Sequence, residues 1–297
     1  MKLADLIRIG KETVSVLYPE REAGEMVFAY MEDVLGTKRH THIVEPEYEV
    51  GVEEAESAQR AFKRMAAGVP LQYITGKSWF YGRQFNVSPD VLIPRPETEV
   101  LCDRVIRQHQ GRTVAKVLDL CTGSGCIAWT LALEMPDVEV SAVDISDGAL
   151  NIASSQDFSE ETARTGALSP VFIKADVLKS QELCQAAVPN IDEETRFDII
   201  VSNPPYVMDK EKPQMRINVL DHEPHLALFV PDDDPLVFYR AVADWAVKLL
   251  NKGGYGIVEI NEALGEETAA LFRDAGFQGV SIIKDLSDRN RFVEFYG

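Results

Sequence analysis

Four consecutive residues, Asn203, Pro204, Pro205 and Tyr206, carry the most distinctive chemistry of this 297-residue chain. They follow residues 197–201, an apolar run with the β-branched content of a buried strand. Two prolines end such a strand, and the ring of Pro204 favours an extended conformation for Asn203. Asn-Pro is also a common turn signal, but a plain turn does not require this whole set. The pattern predicts a stiff loop at the carboxyl end of a strand, where open α/β sheets bind ligands.

These residues could hold a planar NH2 group. The side-chain oxygen of Asn203 and the backbone carbonyl of Pro204 can each accept one N–H hydrogen, which orients the nitrogen and favours the positive charge developing on it. The ring of Tyr206 supplies a flat wall, and Pro205 completes the predicted substrate-binding set. None of these groups is a strong base, which suits attack by a neutral nitrogen on a reactive electrophile such as a sulfonium methyl group. The predicted chemistry is N-methylation, with Asn203, Pro204 and Tyr206 as the catalytic residues.

A second constellation could bind a cofactor. Residues 116–120 predict a strand, residues 121–125 a tight glycine-containing loop, and residues 127–135 a helix. Glycine lets the backbone approach a ligand, and the start of the helix offers free N–H donors. The next predicted strand, 138–145, ends near an acid about twenty residues past the loop, which typically binds ribose hydroxyls. The predicted cofactor-binding residues here are Cys121, Thr122, Gly123, Ser124, Gly125 and Asp144.

The glycine loop does not identify the cofactor by itself. The spacing of Gly123, Gly125 and Ala128 also fits the dinucleotide-binding fingerprint, so NAD and S-adenosylmethionine remain open at this point. Residues 203–206 decide for S-adenosylmethionine, because hydride transfer has no evident use for an Asn-Pro-Pro-Tyr loop. Asn203 therefore belongs to the predicted cofactor set as well.

A third predicted strand, 171–175, ends at Asp176 and Val177. The carboxylate of Asp176 could accept a hydrogen bond from an adenine amino group, with Val177 beside the ring. An aspartate that caps the following turn explains the same position equally well.

Charge and composition narrow the class of protein. The formal net charge is −18; residues 1–110 contribute −3 and residues 111–297 contribute −15. An acidic catalytic half suits a cationic sulfonium cofactor and repels a phosphate backbone, so we expect no direct DNA binding. No apolar run approaches membrane-spanning length, and the N-terminus lacks the layout of a signal peptide. We expect a cytoplasmic monomer with no membrane contact.

The sequence gives no strong metal signal. Cys102, Cys121, Cys126 and Cys184 lack metal-like spacing; Cys121 and Cys126, which flank the glycine loop, are predicted to be small buried residues. The His-Glu-Pro-His stretch at 222–225 contains a proline and misses the helical two-histidine spacing, so a polar loop is expected there.

The pattern along the chain predicts three parts. Residues 1–75 show helical spacing and predict a small helical bundle. Residues 76–93 are aromatic and turn-punctuated and predict a β-hairpin linker. Residues 94–297 open with a helix at Pro96, then strands alternate with helices from Val114 onward, which indicates an α/β domain with a parallel sheet. A helix is predicted over 236–250, ended by Gly253 and Gly254, before a strand over 255–260.

The chain resembles the bacterial PrmC/HemK family of protein-(glutamine-N5) methyltransferases, which modify peptide chain release factors. The resemblance covers nearly the whole chain. It rests on residues 71–101, including Leu-Ile-Pro-Arg-Pro-Glu-Thr-Glu at 92–99, and on the glycine loop, Asp144, residues 203–206 and Glu223-Pro224.

The resemblance implies a class I S-adenosylmethionine-dependent methyltransferase, with a Rossmann-like seven-stranded sheet whose last strand is antiparallel. It implies that the glutamine of the Gly-Gly-Gln loop of class I release factors is the substrate, with S-adenosylhomocysteine as the product. Residues 121–125, Asp144 and Val177 would hold the cofactor, and residues 203–206 the glutamine. The helical domain of residues 1–75 would recognise the substrate. Two departures stand out: Cys121 and Asp288 occupy positions where the family commonly has glycine.

Two other hypotheses remain at this stage. Asn-Pro-Pro-Tyr also occurs in nucleic-acid adenine-N6 methyltransferases, which would be expected to show a basic surface and a base-flipping pocket. The second hypothesis is a non-catalytic binding module that kept the fold. The intact glycine loop, Asp144 and Asn203 argue against it.

Overall fold

The computed structural model describes residues 1–109, 116–179, 191, 194–285 and 287–297. They form two compact units: Met1–Lys77 with Met215–His222, and Ser78–Gln214 with Glu223–Gly297. The first boundary lies close to the predicted one at residue 75. No pattern in the sequence indicates that residues 215–222, inside the predicted methyltransferase domain, cluster with the helical unit. Val114 and Cys184 lie outside the described residues.

The first unit is helical, as its apolar spacing predicts. Its helices are α1 Leu3–Val14, α2 Glu20–Leu35, α3 Thr41–Val44, α4 Val52–Ala66 and α5 Leu71–Thr75. Leu6, Val27 and Phe62 are fully buried in its core. A side chain at Gly10 of α1 would meet the Phe62 ring at 2.9 Å, so glycine allows close packing there. The added segment 215–222 contains α10 Ile217–Leu220 and pairs Arg216 with Glu22 of α2 at 3.0 Å.

A β-hairpin follows, as predicted. Strands β1 Lys77–Phe80 and β2 Arg83–Asn86 pair with each other. Tyr81 and Gly82 join them with φ angles of 49° and 75°. Positive φ at both positions is the type I′ geometry, whose twist matches that of the flanking strands.

A seven-stranded sheet forms the centre of the second unit. Its strands in chain order are β3 Lys116–Leu120, β4 Glu139–Asp144, β5 Val171–Lys174, β6 Phe197–Ser202, β9 Leu250–Glu259, β10 Gln278–Lys284 and β11 Asn290–Tyr296. The spatial order is β10-β11-β9-β6-β3-β4-β5. The pairs from β5 to β9 are parallel, while β11 is antiparallel to both neighbours. The predicted class of sheet, with its antiparallel last strand, is confirmed.

Helices and one short ladder complete this unit. The helices are α6 Pro96–His109, α7 Cys126–Glu134, α8 Asp147–Ser154, α9 Ser159–Thr165, α11 Val237–Leu249 and α12 Gly265–Asp274. Strand β7 Val207–Met208 pairs in parallel with β8 Phe229–Val230. In the part of the chain that the structure describes, no helix is both long and apolar enough for a membrane span.

One predicted boundary is wrong. Gly253 and Gly254 do not end a helix; they lie inside β9, which begins at Leu250, directly after α11. The pairing with β6 shifts register between Phe197 and Ile199, and Gly253 has a φ of 75°. The two glycines therefore mark an irregularity within a strand, the other structure that glycine commonly indicates.

Candidate active site

The sheet topology creates the site. β3 has β4 on one side and β6 on the other, so a crevice opens at the carboxyl ends of these strands, where open α/β sheets bind ligands. Leu120 and Ser202, the last residues of β3 and β6, are paired, and the Ser202 hydroxyl donates to the Leu120 carbonyl at 2.7 Å. The glycine loop and the Asn-Pro-Pro-Tyr loop therefore leave the sheet side by side.

A cavity of about 310 Å³ lies at this edge, within the size range of small-molecule sites. It brings together most of the residues that the sequence singled out. Those lining it are Cys121, Thr122, Gly123, Ser124, Asp144, Asp176, Val177, Asn203 and Pro205. Gly125, Pro204 and Tyr206 are not among the lining residues. Arg95 and Thr98, which the site prediction did not include, are.

Every second residue of the glycine loop has a backbone φ in the left-handed region. Cys121, Gly123 and Gly125 have φ angles of 63°, 55° and 77°. A side chain at Gly125 would also lie 3.0 Å from the Ala153 side chain, so glycine is needed there for two reasons. Cys121 adopts a conformation that costs a residue with a Cβ about 1–2 kcal/mol. Cys121 therefore adopts a backbone conformation typical of glycine, at a local energetic cost.

Asp144 ties the glycine loop to β4. One carboxylate oxygen accepts from the Gly123 N–H and the other from the Ser146 N–H, both at 2.9 Å. Burial raises the pKa of Asp144, and the backbone N–H groups of Ser146 and Gly123 oppose that shift. The carboxylate is thereby fixed at the cavity wall. Asp144 holds the loop in place as well as being the predicted partner of ribose hydroxyls.

Asp119 lies fully buried beneath the loop. One of its oxygens accepts from the Thr122 hydroxyl at 2.6 Å, while the other has no hydrogen-bond partner among the described residues. Burial raises the pKa of Asp119 to about 7. A carboxyl group that titrates near neutral pH therefore supports the cofactor loop.

We expect Asp119→Asn to change how stability depends on pH. The unfolded chain releases this proton near pH 4 and the folded protein near pH 7, so the folded state binds more protons between these values. Stability of the wild type must therefore fall as pH rises through that window, and asparagine lacks this dependence. The difference in free energy of unfolding, variant minus wild type, should therefore be about 3 kcal/mol more positive at pH 8 than at pH 5.

Urea denaturation of both proteins without cofactor, at pH 5 and pH 8, measures this difference. Equal differences between the two proteins at both pH values would show that Asp119 ionises with an ordinary pKa.

The residues present fit an adenosine-type cofactor. Ser124 is buried in the loop, and its hydroxyl has no hydrogen-bond partner among the described residues. At Gly123 an added side chain would point into open space, so the backbone alone bounds the cavity there. Together with the acceptor oxygens of Asp144, these groups could hold polar atoms of a ribose and an amino-acid tail. Among the described residues no group of histidine, cysteine and acidic side chains could hold a metal ion.

Asp176 shows both features that its position suggested. One carboxylate oxygen accepts from the Leu178 N–H at 3.0 Å, which is the turn-capping contact. Asp176 and Val177 also line the cavity, and Val177 is buried with its carbonyl accepting from the Trp245 indole N–H at 2.9 Å. The turn contact therefore positions Asp176 at the cavity without excluding a role toward adenine.

Three residues outside the Asn-Pro-Pro-Tyr loop hold it by hydrogen bonds. The Asn203 amide nitrogen donates to the Thr98 hydroxyl on α6 at 3.1 Å. The Tyr206 hydroxyl donates to Glu259 at the end of β9 at 2.9 Å, and the Asn261 amide donates to the Tyr206 carbonyl at 3.1 Å. Burial raises the pKa of Tyr206 well above its usual value. Tyr206 is therefore a neutral, fixed side chain.

A partly buried ion pair holds another part of the wall. Glu223 is 3% exposed, accepts from the Ile93 N–H at 3.2 Å and pairs with the half-buried Arg95 at 2.6 Å. The sequence predicted only a polar loop at 222–225, and Glu223 is instead a buried acid with a basic partner. Gln156 plays a similar part, since its amide donates to the carbonyls of Ser124 and Asn86.

The fold and site together define an S-adenosylmethionine-dependent methyltransferase of class I. Two family models match the chain: the PrmC N-terminal domain over residues 14–76 and the methyltransferase small domain over residues 97–222. A 16S rRNA methyltransferase of T. thermophilus, solved in complex with AdoMet and guanosine, shares the fold. Its TM-score is 0.50 at 19% identity, covering 74% of this chain and 49% of that one.

Full-length relatives give the family. A release factor glutamine methyltransferase from Flavobacterium psychrophilum is 34% identical and covers 95% of both chains. One from Bacteroides thetaiotaomicron is 36% identical over 95% of this chain and 96% of its own. The chain belongs to the release factor glutamine methyltransferase family.

Proposed function

We propose that this protein transfers the methyl group of S-adenosylmethionine to the side-chain amide nitrogen of the glutamine in the Gly-Gly-Gln loop of class I peptide chain release factors. One observation carries the proposal. Asn203 lines the same cavity as the glycine loop and Asp144, and its amide nitrogen is held by Thr98, which leaves its oxygen as an acceptor. An amide acceptor beside a cofactor loop is what an amide nucleophile requires.

The chemistry follows from the residues present. S-adenosylmethionine, when bound, supplies a methyl group on a positively charged sulfur. The Asn203 oxygen and the Pro204 carbonyl accept the two N–H hydrogens of the glutamine and direct its nitrogen toward that methyl group. With the cofactor bound, the nitrogen would take the methyl group from sulfur, leaving S-adenosylhomocysteine, and would then lose a proton to water. Both acceptors favour the charge on the nitrogen during attack, so no strong base is required.

We assign recognition of the release factor to the helical unit. It exposes several large apolar side chains, among them Val16 at 82%, Ile43 at 71% and Val44 at 68%. Ile43 and Val44 are adjacent in the chain, and contiguous exposed apolar surface is typical of protein-binding sites. The net charge of −18 supports a protein substrate over DNA, because acidic surface repels phosphate. We infer a monomer that acts in the cytoplasm, where release factors work.

A competition assay tests the proposal. The protein is incubated with radiolabelled S-adenosylmethionine, purified release factor, DNA and ribosomal RNA in one reaction, and the three macromolecules are then separated. We expect the label on the release factor alone. A control release factor with asparagine in place of the loop glutamine should remain unlabelled. Label on adenine of either nucleic acid would identify the alternative methyltransferase class.

A further inference from the structure

A buried chain of hydrogen bonds extends from the catalytic loop to Thr98 and Glu259, within the second unit. Asn203 Nδ2 lies 3.1 Å from Thr98 Oγ1, Thr98 Oγ1 lies 2.7 Å from Glu259 Oε2, and Glu259 Oε1 accepts from the Tyr206 hydroxyl at 2.9 Å. Thr98 and Glu259 are 2% and 1% exposed. The two loop residues Asn203 and Tyr206 are thus connected through one carboxylate.

The topology of the sheet explains this arrangement. β6 and β9 are parallel neighbours, with Ser202 of β6 paired to Val258 of β9. Asn203 and Glu259, each one residue further on, therefore leave the same edge together. Thr98 reaches them from the first turn of α6.

The direction of each hydrogen bond follows from the chemistry of the groups. An ionised carboxylate only accepts, and a threonine hydroxyl has a single proton. Thr98 gives that proton to Glu259, so toward Asn203 it can only accept. The Asn203 atom that faces Thr98 must then be the NH2 nitrogen, and the Asn203 oxygen is left for the substrate.

A protonated Glu259 would reverse this order. It could donate to Thr98, and Thr98 could then donate to the oxygen of Asn203. Burial raises the pKa of Glu259, while hydrogen bonds from Thr98 and Tyr206 and the nearby charge of Arg291 oppose the shift. Thr98, Tyr206 and Arg291 therefore stabilise the ionised form of Glu259, whereas burial away from water destabilises it.

We propose that Thr98 and Glu259 are positioning residues that set the orientation of the Asn203 amide, so that its oxygen and not its nitrogen faces the substrate NH2 group. This inference rests on the proposed function for its catalytic consequence. With the opposite orientation, the Asn203 NH2 group would face the substrate NH2 group, donor against donor. A carboxylate at position 259 and a hydroxyl at position 98 are therefore part of the specificity for a planar nitrogen nucleophile.

Thr98→Val and Thr98→Ser form a matched pair for the test. Valine keeps the branched shape without the hydroxyl, whereas serine keeps the hydroxyl. We expect Thr98→Val to lower kcat about tenfold or more, with KM for the release factor and Kd for S-adenosylmethionine within about twofold of wild type. Thr98→Ser should remain within about threefold of wild type. Glu259→Gln, which offers one acceptor oxygen to two hydroxyl donors, should also lower kcat about tenfold.

The double variant separates positioning from packing. Because Thr98 acts through Asn203, Thr98→Val should have no further effect on kcat in an Asn203→Ala background. A purely structural role would lower kcat by the same factor in both backgrounds. Wild-type kcat in Thr98→Val or Glu259→Gln, or additive losses in the double variant, would overturn the inference. An inactive wild-type protein would instead refute the proposed function.

A spectroscopic measurement tests the orientation without any substrate. In protein labelled with 15N-asparagine, the side-chain NH2 signals of Asn203 are the pair absent from Asn203→Ala. Their exchange with water should be slow in wild type and Thr98→Ser and at least tenfold faster in Thr98→Val, because the acceptor is gone. Equal exchange rates in all three proteins would show that Thr98 does not hold this amide.

Discussion

Asn203→Ala should lower kcat about 10²–10³-fold, the range for losing one positioned polar group in a transition state. The oxygen of Asn203 holds the substrate nitrogen and favours the charge that develops on it, so its contribution is largest in the transition state. Binding of the release factor should change little, because we assign its recognition to the helical unit and not to Asn203. Steady-state kinetics with purified release factor, together with a direct binding measurement, separate the two effects.

Two further variants sharpen this prediction. Asn203→Asp keeps an acceptor but cannot donate to Thr98, whose own proton is given to Glu259. We expect it to be poor but better than alanine. Asn251→Ala is the control, since it also replaces an asparagine with alanine. Asn251 lies at the start of β9, away from the cavity, and donates to Asp198 at 2.8 Å, so this variant should keep wild-type turnover. Wild-type turnover in Asn203→Ala would refute the mechanism even though the family assignment stands.

Asp144→Ala should weaken S-adenosylmethionine binding by about 2–3 kcal/mol, which corresponds to about 30- to 150-fold in Kd. The ribose hydroxyls would lose a charged acceptor. The variant would also lose the hydrogen bonds that this carboxylate accepts from Gly123 in the glycine loop and from Ser146 after β4. Isothermal titration calorimetry of the folded variant measures the loss.

Asp147→Ala provides the matched control for Asp144→Ala. Its carboxylate lies three residues further on, is 73% exposed and pairs with Lys174 outside the cavity. Removing this negative charge should change the cofactor Kd by less than about twofold. Unchanged affinity in Asp144→Ala would exclude Asp144 from the cofactor site. Binding of NAD by the wild type would revive the dehydrogenase interpretation of the loop.

Much of the fold is predictable from local patterns. The strand Lys116–Leu120 and the helix beginning at Pro96 appear where apolar runs and a proline at the first helical position indicate them. The bounds of β9 are not predictable in this way. Glycines at 253 and 254 are compatible with a helix end or with an irregular strand, and only the pairing with β6 decides between them.

The two departures from the family pattern have one physical explanation. Cys121 and Asp288 both adopt a φ of 63°, in the left-handed region that glycine enters without cost. Aspartate tolerates this region better than most residues, and cysteine is small. Both residues therefore adopt a conformation that glycine favours, and this answers the doubt about the turn at Asp288 that the sequence alone left.

The catalytic and cofactor residues could be proposed from the sequence because loops after parallel strands share one edge of the sheet. Their supporting residues could not. Thr98 and Glu259 are 161 positions apart, and Arg95 and Glu223 are 128 apart, so their contacts exist only in the folded chain. Local signals were present: Arg95 and Thr98 belong to the 92–99 motif, Glu223 to the Glu-Pro pair, and Glu259 is an acid at the end of an apolar strand. None of them shows which residue each one contacts.

Mass spectrometry of the release factor after incubation with the protein and S-adenosylmethionine is the most direct test of the proposed reaction. Digestion isolates the peptide that contains the Gly-Gly-Gln loop, and fragmentation places any added mass on one side chain. We predict a single methyl group on the side-chain nitrogen of that glutamine with the wild type, and about 10²–10³-fold slower accumulation with Asn203→Ala. An unmodified glutamine, with methyl groups on another side chain or on nucleic-acid adenine, would contradict the proposed function.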